Sequence, residues 1–154
     1  MWGTCSPKKI CAAAKKRGYR RLAITDTNNL YGLWPFLKSC KRENITPIVG
    51  AELTDSETGY RAVCLVKNDQ GYRNLCRIIT RRHIDAAFDL KSVILTHAQG
   101  LVIITQHPEL LTQWHEAGLT VAAAVSGKPD GIALRLRKTS RYLGLPMLFT
   151  PGSF

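Results

Sequence analysis

The chain has 154 residues, of which 45% are hydrophobic and 21% are charged. A chain of this length can bury the core of one domain but not comfortably the cores of two, and its ordinary apolar fraction excludes wholesale disorder. No uncharged apolar run approaches the roughly eighteen residues of a membrane span, and the amino terminus shows no apolar signal segment. We therefore predict a soluble, cytoplasmic protein without a membrane partner.

The chain is strongly basic, with a formal charge of +11 and a sequence pI near 9.8. Such a balance favours contact with DNA or another polyanion. Three basic groups lie on predicted helices, where ordinary solvated charge also sits, so both interpretations stay open. The candidate nucleic-acid contacts in these groups are Lys8, Lys9, Lys15, Lys16, Arg17, Arg77 and Arg81.

The cysteines and histidines show no pattern typical of a metal site. Five cysteines is an odd number, and no two have the C-x-x-C spacing of a zinc ligand pair. We predict reduced, structural thiols in a reducing compartment. No histidine pair has i, i+4 or His-x-His spacing, so the four histidines are predicted to be surface or capping residues.

The first half of the chain alternates apolar strands with helices. Ser6 and Pro7 predict a helix start, and Gly18 predicts its end. The predicted strands in this half are 21–25, 46–53 and 62–66, a helix covers 33–43, and a polar turn covers 55–59. Asn68 then caps a helix whose apolar residues recur every three or four positions.

The second half continues the same alternation. Residues 84–98 are predicted to be a loop with a short helix near 90–95. Strands follow at 100–105, 119–125 and 146–150, with helices at 108–117 and 130–143. Continuous apolar strands between amphipathic helices predict a mostly parallel sheet covered by helices.

Acidic side chains end two of the predicted strands. Asp26 follows the first strand and Glu52 ends the second. Parallel α/β folds place function at the carboxyl ends of their strands, and neighbouring carboxylates suit a metal or general acid–base chemistry. The alternative is that Asp26 caps a turn and Glu52 simply reaches solvent.

Three sequence blocks resemble one family. Residues 23–32 read AITDTNNLYG, residues 47–53 read PIVGAEL, and residues 67–80 read KNDQGYRNLCRIIT. These blocks are similar to the T-D-H-x-N-L-x-G, I-x-P-I-x-G-x-E and K-N-x-x-G-Y-x-N-L-x-x-L patterns of the polymerase-and-histidinol-phosphatase (PHP) domain. That domain begins bacterial DNA polymerase III alpha subunits and their error-prone paralogues. GLVII at 100–104 and LGLP at 143–146 extend the resemblance.

The resemblance implies an incomplete, distorted (β/α)7 barrel of TIM-like type. Residues 1–154 would form a single partial PHP domain without the family's first strand, which carries an H-x-H motif, and without its last part. Family members with an intact site bind divalent zinc or manganese. The implied remnant of that site is Asp26 and Glu52, with Thr27, Arg61, Gly152 and Phe154 in place of family ligands. Threonine, arginine and phenylalanine are poor replacements for histidine as metal ligands.

We therefore expect a degenerate site without catalytic residues or a resident cofactor, in which Arg61 pairs with Glu52. The favoured function is that of a PHP-domain fragment of a replicative or error-prone bacterial polymerase alpha subunit. Such a fragment would support structure and contact the remaining polymerase domains, with DNA as a further candidate partner. Two alternatives are a stand-alone metal-dependent phosphoesterase or 3′–5′ exonuclease, and a basic, non-catalytic nucleic-acid-binding module.

Overall fold

Six strands form one sheet in the computed structural model, which describes residues 5–126 and 130–150. The strands stand in chain order across the sheet, which curls into a half-barrel. The strands are β1 (Arg21–Thr27), β2 (Thr46–Thr54), β3 (Arg61–Val66), β4 (Leu101–Thr105), β5 (Val121–Ser126) and β6 (Met147–Thr150). The helices are α1 (Pro7–Lys16), α2 (Leu33–Glu43), α3 (Asp69–Ile84), α4 (Leu90–His97), α5 (Pro108–Glu116) and α6 (Gly131–Tyr142).

Polar side chains cap the amino ends of three helices by accepting hydrogen bonds from backbone amides. The Asn68 side chain accepts from Gly71 at the start of α3, and Asp130 accepts from Ala133 at the start of α6. Asp89 accepts from the amides of Lys91 and Ser92. Each side chain satisfies amides that have no partner within their helix. The Asp89 cap explains why α4 begins at residue 90 as predicted; the helix runs two residues beyond the predicted segment 90–95.

The sheet is mostly parallel, but β3 runs against both of its neighbours. β1 and β2 are parallel, as are β4, β5 and β6, whereas β3 pairs antiparallel with β2 and with β4. The turn at residues 55–60 is too short for a crossover connection, so the strand that follows it returns beside β2 in the opposite direction. The incomplete, mostly parallel barrel expected from the sequence is confirmed, with the local reversal at β3 as a correction.

The sheet buries apolar side chains on both faces. The largest cluster includes Leu53, Leu75, Ile103 and Trp114 and lies between the sheet and helices α3 to α6. α1 and α2 cover β1 with a second cluster. A third, smaller cluster, of which Val63 is a member, lies on the opposite face, here called the inner face. The inner face is the one that carries Glu52, because Glu52 and Val63 are cross-strand partners.

Gly71 of α3 packs closely against the backbone of Gly100, which directly precedes β4. A Cβ built on Gly71 would lie 1.9 Å from the carbonyl oxygen of Gly100, and Gly100 itself has φ +79°. The Asn74 side chain donates to the Gln99 carbonyl at 2.9 Å in the same place. Only glycine at position 71 permits this backbone approach, which accounts physically for the G in the KNDQGY block.

Within the described ranges, no helix combines the length and the apolar character needed to cross a membrane.

Candidate functional site

Glu52 is the buried acid at the end of β2. Its side chain is 8% exposed, and Oε2 accepts a hydrogen bond from the Thr27 hydroxyl at 2.7 Å. Register explains the contact, because Thr27 and Glu52 are direct partners in the parallel β1–β2 ladder. Thr27 therefore serves as a hydrogen-bond donor to the carboxylate.

Arg61 supplies the positive charge opposite Glu52. Its Nη1 lies 3.5 Å from Glu52 Oε1, and its side chain is 43% exposed. Oε1 has no aligned hydrogen bond, so the contact is an ion pair without hydrogen-bond geometry. The reversed direction of β3 creates this proximity, because it places the first residue of β3 opposite Thr54, next to the carboxyl end of β2. The expected pairing of Arg61 with Glu52 is present.

Asp26 lies on the other face of the sheet. Its Oδ2 accepts from the Gly32 amide at 2.6 Å, at the residue that precedes α2. Successive strand residues point to opposite faces, so Asp26 faces the helices while Thr27 meets Glu52 on the inner face. The structure therefore does not join Asp26 and Glu52 into a carboxylate pair, and the turn-capping alternative describes Asp26.

A small cavity lies beside the ion pair. Its volume is about 10 Å³, close to that needed for one water molecule. Glu52, Arg61, Thr105 and Gln106 are among its lining residues. Glu52 Oε1 and Gln106 Nε2 are buried atoms without a hydrogen-bond partner in the part of the chain described. Gln106 was not among the residues predicted from the sequence, although its place directly after β4 is a signal that could have identified it.

His107 is a second neighbour of the site that the sequence did not single out as part of it. Its Nε2 accepts from the Arg61 backbone amide at 3.3 Å, and its ring meets that of Tyr60 edge-on at 4.9 Å between centroids. Burial lowers the pKa of His107; the Glu109 carboxylate opposes this shift and the Arg61 guanidinium reinforces it. A neutral ring fits the acceptor role of Nε2. His107 immediately precedes α5, but its side chain makes no cap hydrogen bond to that helix.

The other predicted site residues lie outside the described ranges. Gly152 and Phe154 are not among the residues that the structure describes, so their part in the remnant site stays a prediction.

The residues that the structure describes around Glu52 do not fit a family-type metal cluster. In residues 5–126 and 130–150, no group of three or more histidine, cysteine, aspartate or glutamate side chains is placed to hold a metal ion. The donors around Glu52 are a threonine hydroxyl and a guanidinium, and the guanidinium is a cation that opposes a second cation at the same oxygen. We therefore derive no metal-dependent step at this site.

The candidate nucleic-acid contacts fall on two separate helices. Lys8, Lys9, Lys15, Lys16 and Arg17 lie along or directly after α1, whereas Arg77 and Arg81 belong to α3. Some of these charges already have partners. Lys15 lies 3.8 Å from Glu43, Arg81 lies 3.7 Å from Asp85, and Arg77 donates to Asn74 at 3.2 Å.

The fold is an open α/β half-barrel whose inner face carries the Glu52 site. A family model described as "PHP domain" matches residues 1–143. The chain belongs to the PHP domain family.

The sequence relatives include bacterial DNA polymerases and polymerase subunits. The chain is 31% identical to DNA polymerase III subunit alpha of Treponema pallidum over 133 residues, which are 72% of this chain and 11% of the relative. It is 39% identical to the error-prone DNA polymerase of Pseudomonas aeruginosa over 79 residues, which are 51% of this chain and 8% of the relative. The chain thus spans about a tenth of the length of the polymerase relatives that it matches.

A solved structure supports the fold independently of the sequence. A crystal structure from Bifidobacterium adolescentis, classed as a metal-dependent phosphoesterase, matches with a TM-score of 0.62 at 12% identity. The match covers 99% of this chain and 86% of that protein. At this identity the likeness establishes the fold alone.

Proposed function

We propose that this PHP domain is a non-catalytic part of a bacterial polymerase of the DNA polymerase III alpha or error-prone type. In this role it supports the architecture of the polymerase and contacts the enzyme's remaining domains. Nucleotidyl transfer belongs to polymerase regions beyond the matched tenth of the relatives' length, so the chain by itself does not polymerise DNA.

The ion pair at Glu52 carries the proposal. Glu52, the acid of the PIVGAEL block, accepts a hydrogen bond from the Thr27 hydroxyl and pairs with the Arg61 guanidinium. Both groups stabilise a carboxylate without a metal. Asp26 is engaged with the backbone before α2. Both acids of the remnant site thus have structural partners, and a degenerate site without a metal accounts for the replacement residues.

Metal analysis tests the proposal directly. The purified chain is expected to contain no stoichiometric zinc or manganese, because the Glu52 neighbourhood lacks imidazole and thiolate ligands. Elemental analysis after dialysis against low micromolar zinc measures this. Two or more tightly bound metal ions per chain would contradict the proposal.

An activity assay separates the proposal from the phosphoesterase alternative. Hydrolysis of bis(p-nitrophenyl) phosphate and of single-stranded DNA is measured with manganese or zinc added. We expect no turnover above the level of the Glu52→Gln variant, which keeps the size of the side chain but removes its charge. Activity in the parent chain that is lost in Glu52→Gln would favour a metal-dependent phosphoesterase or 3′–5′ exonuclease.

The net charge of +11 supports a second candidate, a basic module that binds nucleic acid without catalysis. Titration with a short DNA duplex at 50 and 200 mM salt tests it. Binding that weakens steeply with salt, and that weakens further in a Lys8→Glu/Arg77→Glu variant, would favour this function. No binding at the lower salt concentration would favour contacts within the polymerase.

A further inference from the structure

Two cysteine thiols meet between helices α1 and α2. The Sγ atoms of Cys11 and Cys40 lie 3.6 Å apart, and both residues are 0% exposed. They belong to the apolar cluster that covers β1, together with Phe36 and Ile45. The two cysteines are 29 positions apart in the chain, so the packing of the two helices creates the contact. It lies on the helix-covered face, whereas Glu52 lies on the inner face.

An ion pair marks the same contact between the two helices. Lys15 Nζ lies 3.8 Å from the Glu43 carboxylate. Lys15 follows Cys11 by four residues and Glu43 follows Cys40 by three, and residues at these spacings share one face of a helix. The ion pair therefore lies about one turn beyond the thiol pair on both helices. Two separate contacts thus place the same faces of α1 and α2 opposite each other.

The distance between the sulfurs is close to that of a covalent bond. A disulfide has an S–S distance of about 2.05 Å, so the two atoms need to approach by about 1.5 Å. Small opposed rotations about the two Cα–Cβ bonds can close this gap. The alternative is that both cysteines serve only as small apolar residues, as buried free cysteines commonly do. That alternative does not account for two sulfurs in direct contact.

We propose that Cys11 and Cys40 form a reversible oxidation site, at which hydrogen peroxide converts the thiol pair to a disulfide that ties α1 to α2. One thiolate attacks a peroxide oxygen, the O–O bond breaks, and hydroxide leaves as a sulfenic acid forms. The second sulfur attacks the sulfenic sulfur, so the S–S bond forms while the S–O bond breaks. The two thiols together lose two electrons, and the peroxide and the two thiol protons become two water molecules. A dithiol reductant reverses the bond by thiol–disulfide exchange.

Burial controls the rate of this oxidation. It raises the pKa of Cys40 to about 12, with the neighbouring Cys11 thiol as a smaller cause. The thiolate is the reactive form of cysteine, so the reaction requires a local opening of the α1–α2 contact that admits water to one sulfur. Brief exposure to peroxide should therefore leave the pair reduced, whereas sustained exposure should form the disulfide.

Peptide mapping identifies the bond. The parent for the experiment is Cys5→Ser, because Cys5 is exposed and would otherwise cross-link two chains. The folded chain is kept for several hours with or without low-millimolar hydrogen peroxide. Remaining thiols are alkylated in denaturant, and the chain is digested with trypsin without reduction. We expect a disulfide-linked pair of peptides in the treated chain, residues 10–15 (ICAAAK) and 39–41 (SCK), which dithiothreitol separates.

Two substitutions in the Cys5→Ser parent form a matched pair. Cys40→Ala removes one sulfur of the proposed site, whereas Cys76→Ala removes a partly buried sulfur from α3. No linked peptides should form in Cys40→Ala, and they should form in Cys76→Ala as in the parent. Circular dichroism verifies that both variants fold. The mapping in the parent needs no change at Cys11 or Cys40, so it tests the inference even if Cys40→Ala does not fold.

Urea unfolding measures what the bond does to the fold. A disulfide across 29 positions restricts the unfolded chain, so the unfolding midpoint of the oxidised parent should rise by about 1 M urea or more. The shift should disappear after dithiothreitol and should be absent from peroxide-treated Cys40→Ala.

Three results would overturn the inference. The first is that Cys11 and Cys40 both remain free for alkylation after sustained treatment. The second is a mixture of pairings among the cysteines, or oxygen added to Cys40 without a link, because either would show that the contact does not direct the oxidation. The third is a linked chain that unfolds at the same or a lower urea concentration than the reduced chain.

Discussion

Removing Arg61 isolates the interaction that defines the remnant site. In Arg61→Met the long apolar stem is kept and the guanidinium is lost, so the Glu52 carboxylate retains only the Thr27 hydroxyl as a described partner. Glu52→Gln removes the opposite charge with little change of shape. The two substitutions and their combination form a double-mutant cycle for the pair.

The magnitude follows from the separation and the burial of the two charges. At 3.5 Å the attraction is about 5 kcal/mol for an effective dielectric constant near 20. Desolvation of Glu52 and the 43% exposure of Arg61 offset most of that attraction. Exposed ion pairs contribute less than about 1 kcal/mol to stability, whereas removing one partner of a buried pair costs about 3–5 kcal/mol. The Arg61–Glu52 pair is half-exposed, so its effect on stability should fall between these values. We therefore expect Arg61→Met to lower the free energy of unfolding by about 2 kcal/mol, with a coupling energy near 1 kcal/mol.

Urea unfolding followed by tryptophan fluorescence measures these changes. Trp114 is 0% exposed and donates its indole N–H to the Lys91 carbonyl at 3.3 Å, so its emission reports loss of the core. Arg135→Met is the control, because Arg135 is exposed and has no ion pair in the described ranges; it should change stability by less than about 0.5 kcal/mol. A coupling energy below about 0.3 kcal/mol would refute the assignment of a stabilising role to the pair.

Three further substitutions or treatments test other parts of the structure. Gly71→Ala should lower the free energy of unfolding in urea by about 2–3 kcal/mol, because the new Cβ would lie 1.9 Å from the carbonyl oxygen of Gly100. Gly131→Ala is the control, because the space around Gly131 is open, and it should not change the free energy of unfolding measurably. Equal effects of the two substitutions would contradict the close approach of Gly71 to Gly100. Burial would raise the pKa of Asp55, but backbone amides that donate to its carboxylate outweigh burial, and the pKa lies below its usual value. The Asp55 carboxylate therefore stabilises the fold above its unfolded pKa of about 3.9, and this stabilisation is lost as pH falls through the lower folded pKa. Asp55→Asn should reduce the fall in the free energy of unfolding at acid pH. An unchanged fall at acid pH would exclude this role of Asp55. Burial, and to a smaller extent the neighbouring Cys11 thiol, raises the pKa of Cys40 to about 12. Iodoacetamide at pH 8 should therefore label the exposed Cys5 and leave Cys40 unmodified until the chain unfolds. Mass spectrometry of the labelled chain measures this difference.

Local sequence signals determined most of the secondary structure. Asn68 and the apolar spacing after it placed α3, and residues 33–43 were predicted as a helix with the bounds that α2 shows. These signals act within a turn or two of the chain, so they survive without knowledge of the fold. The family resemblance, carried by glycines and acids at particular turns, supplied the barrel type.

The direction of β3 relative to its neighbouring strands could be determined only from the tertiary structure. The direction of β3 decides whether its first residue lies near Glu52 or at the far end of the sheet, and continuous apolar runs such as Ala62–Val66 carry no sign of direction. The six-residue turn before β3 was the available clue, because a chain that short cannot cross over the sheet.

The composition of the site was likewise only partly predictable. Sequence spacing brought Asp26 and Glu52 together as candidates, but strand alternation puts Asp26 on the helix-covered face and Thr27 on the inner face with Glu52. Gln106 and His107 join the site from 45 or more residues along the chain, through the pairing of β3 with β4. The sequence by itself determined which side chains were available and, to within two residues, where the strands and helices begin. Which of those side chains share a face and a neighbour depends on strand direction and register, which long-range packing sets.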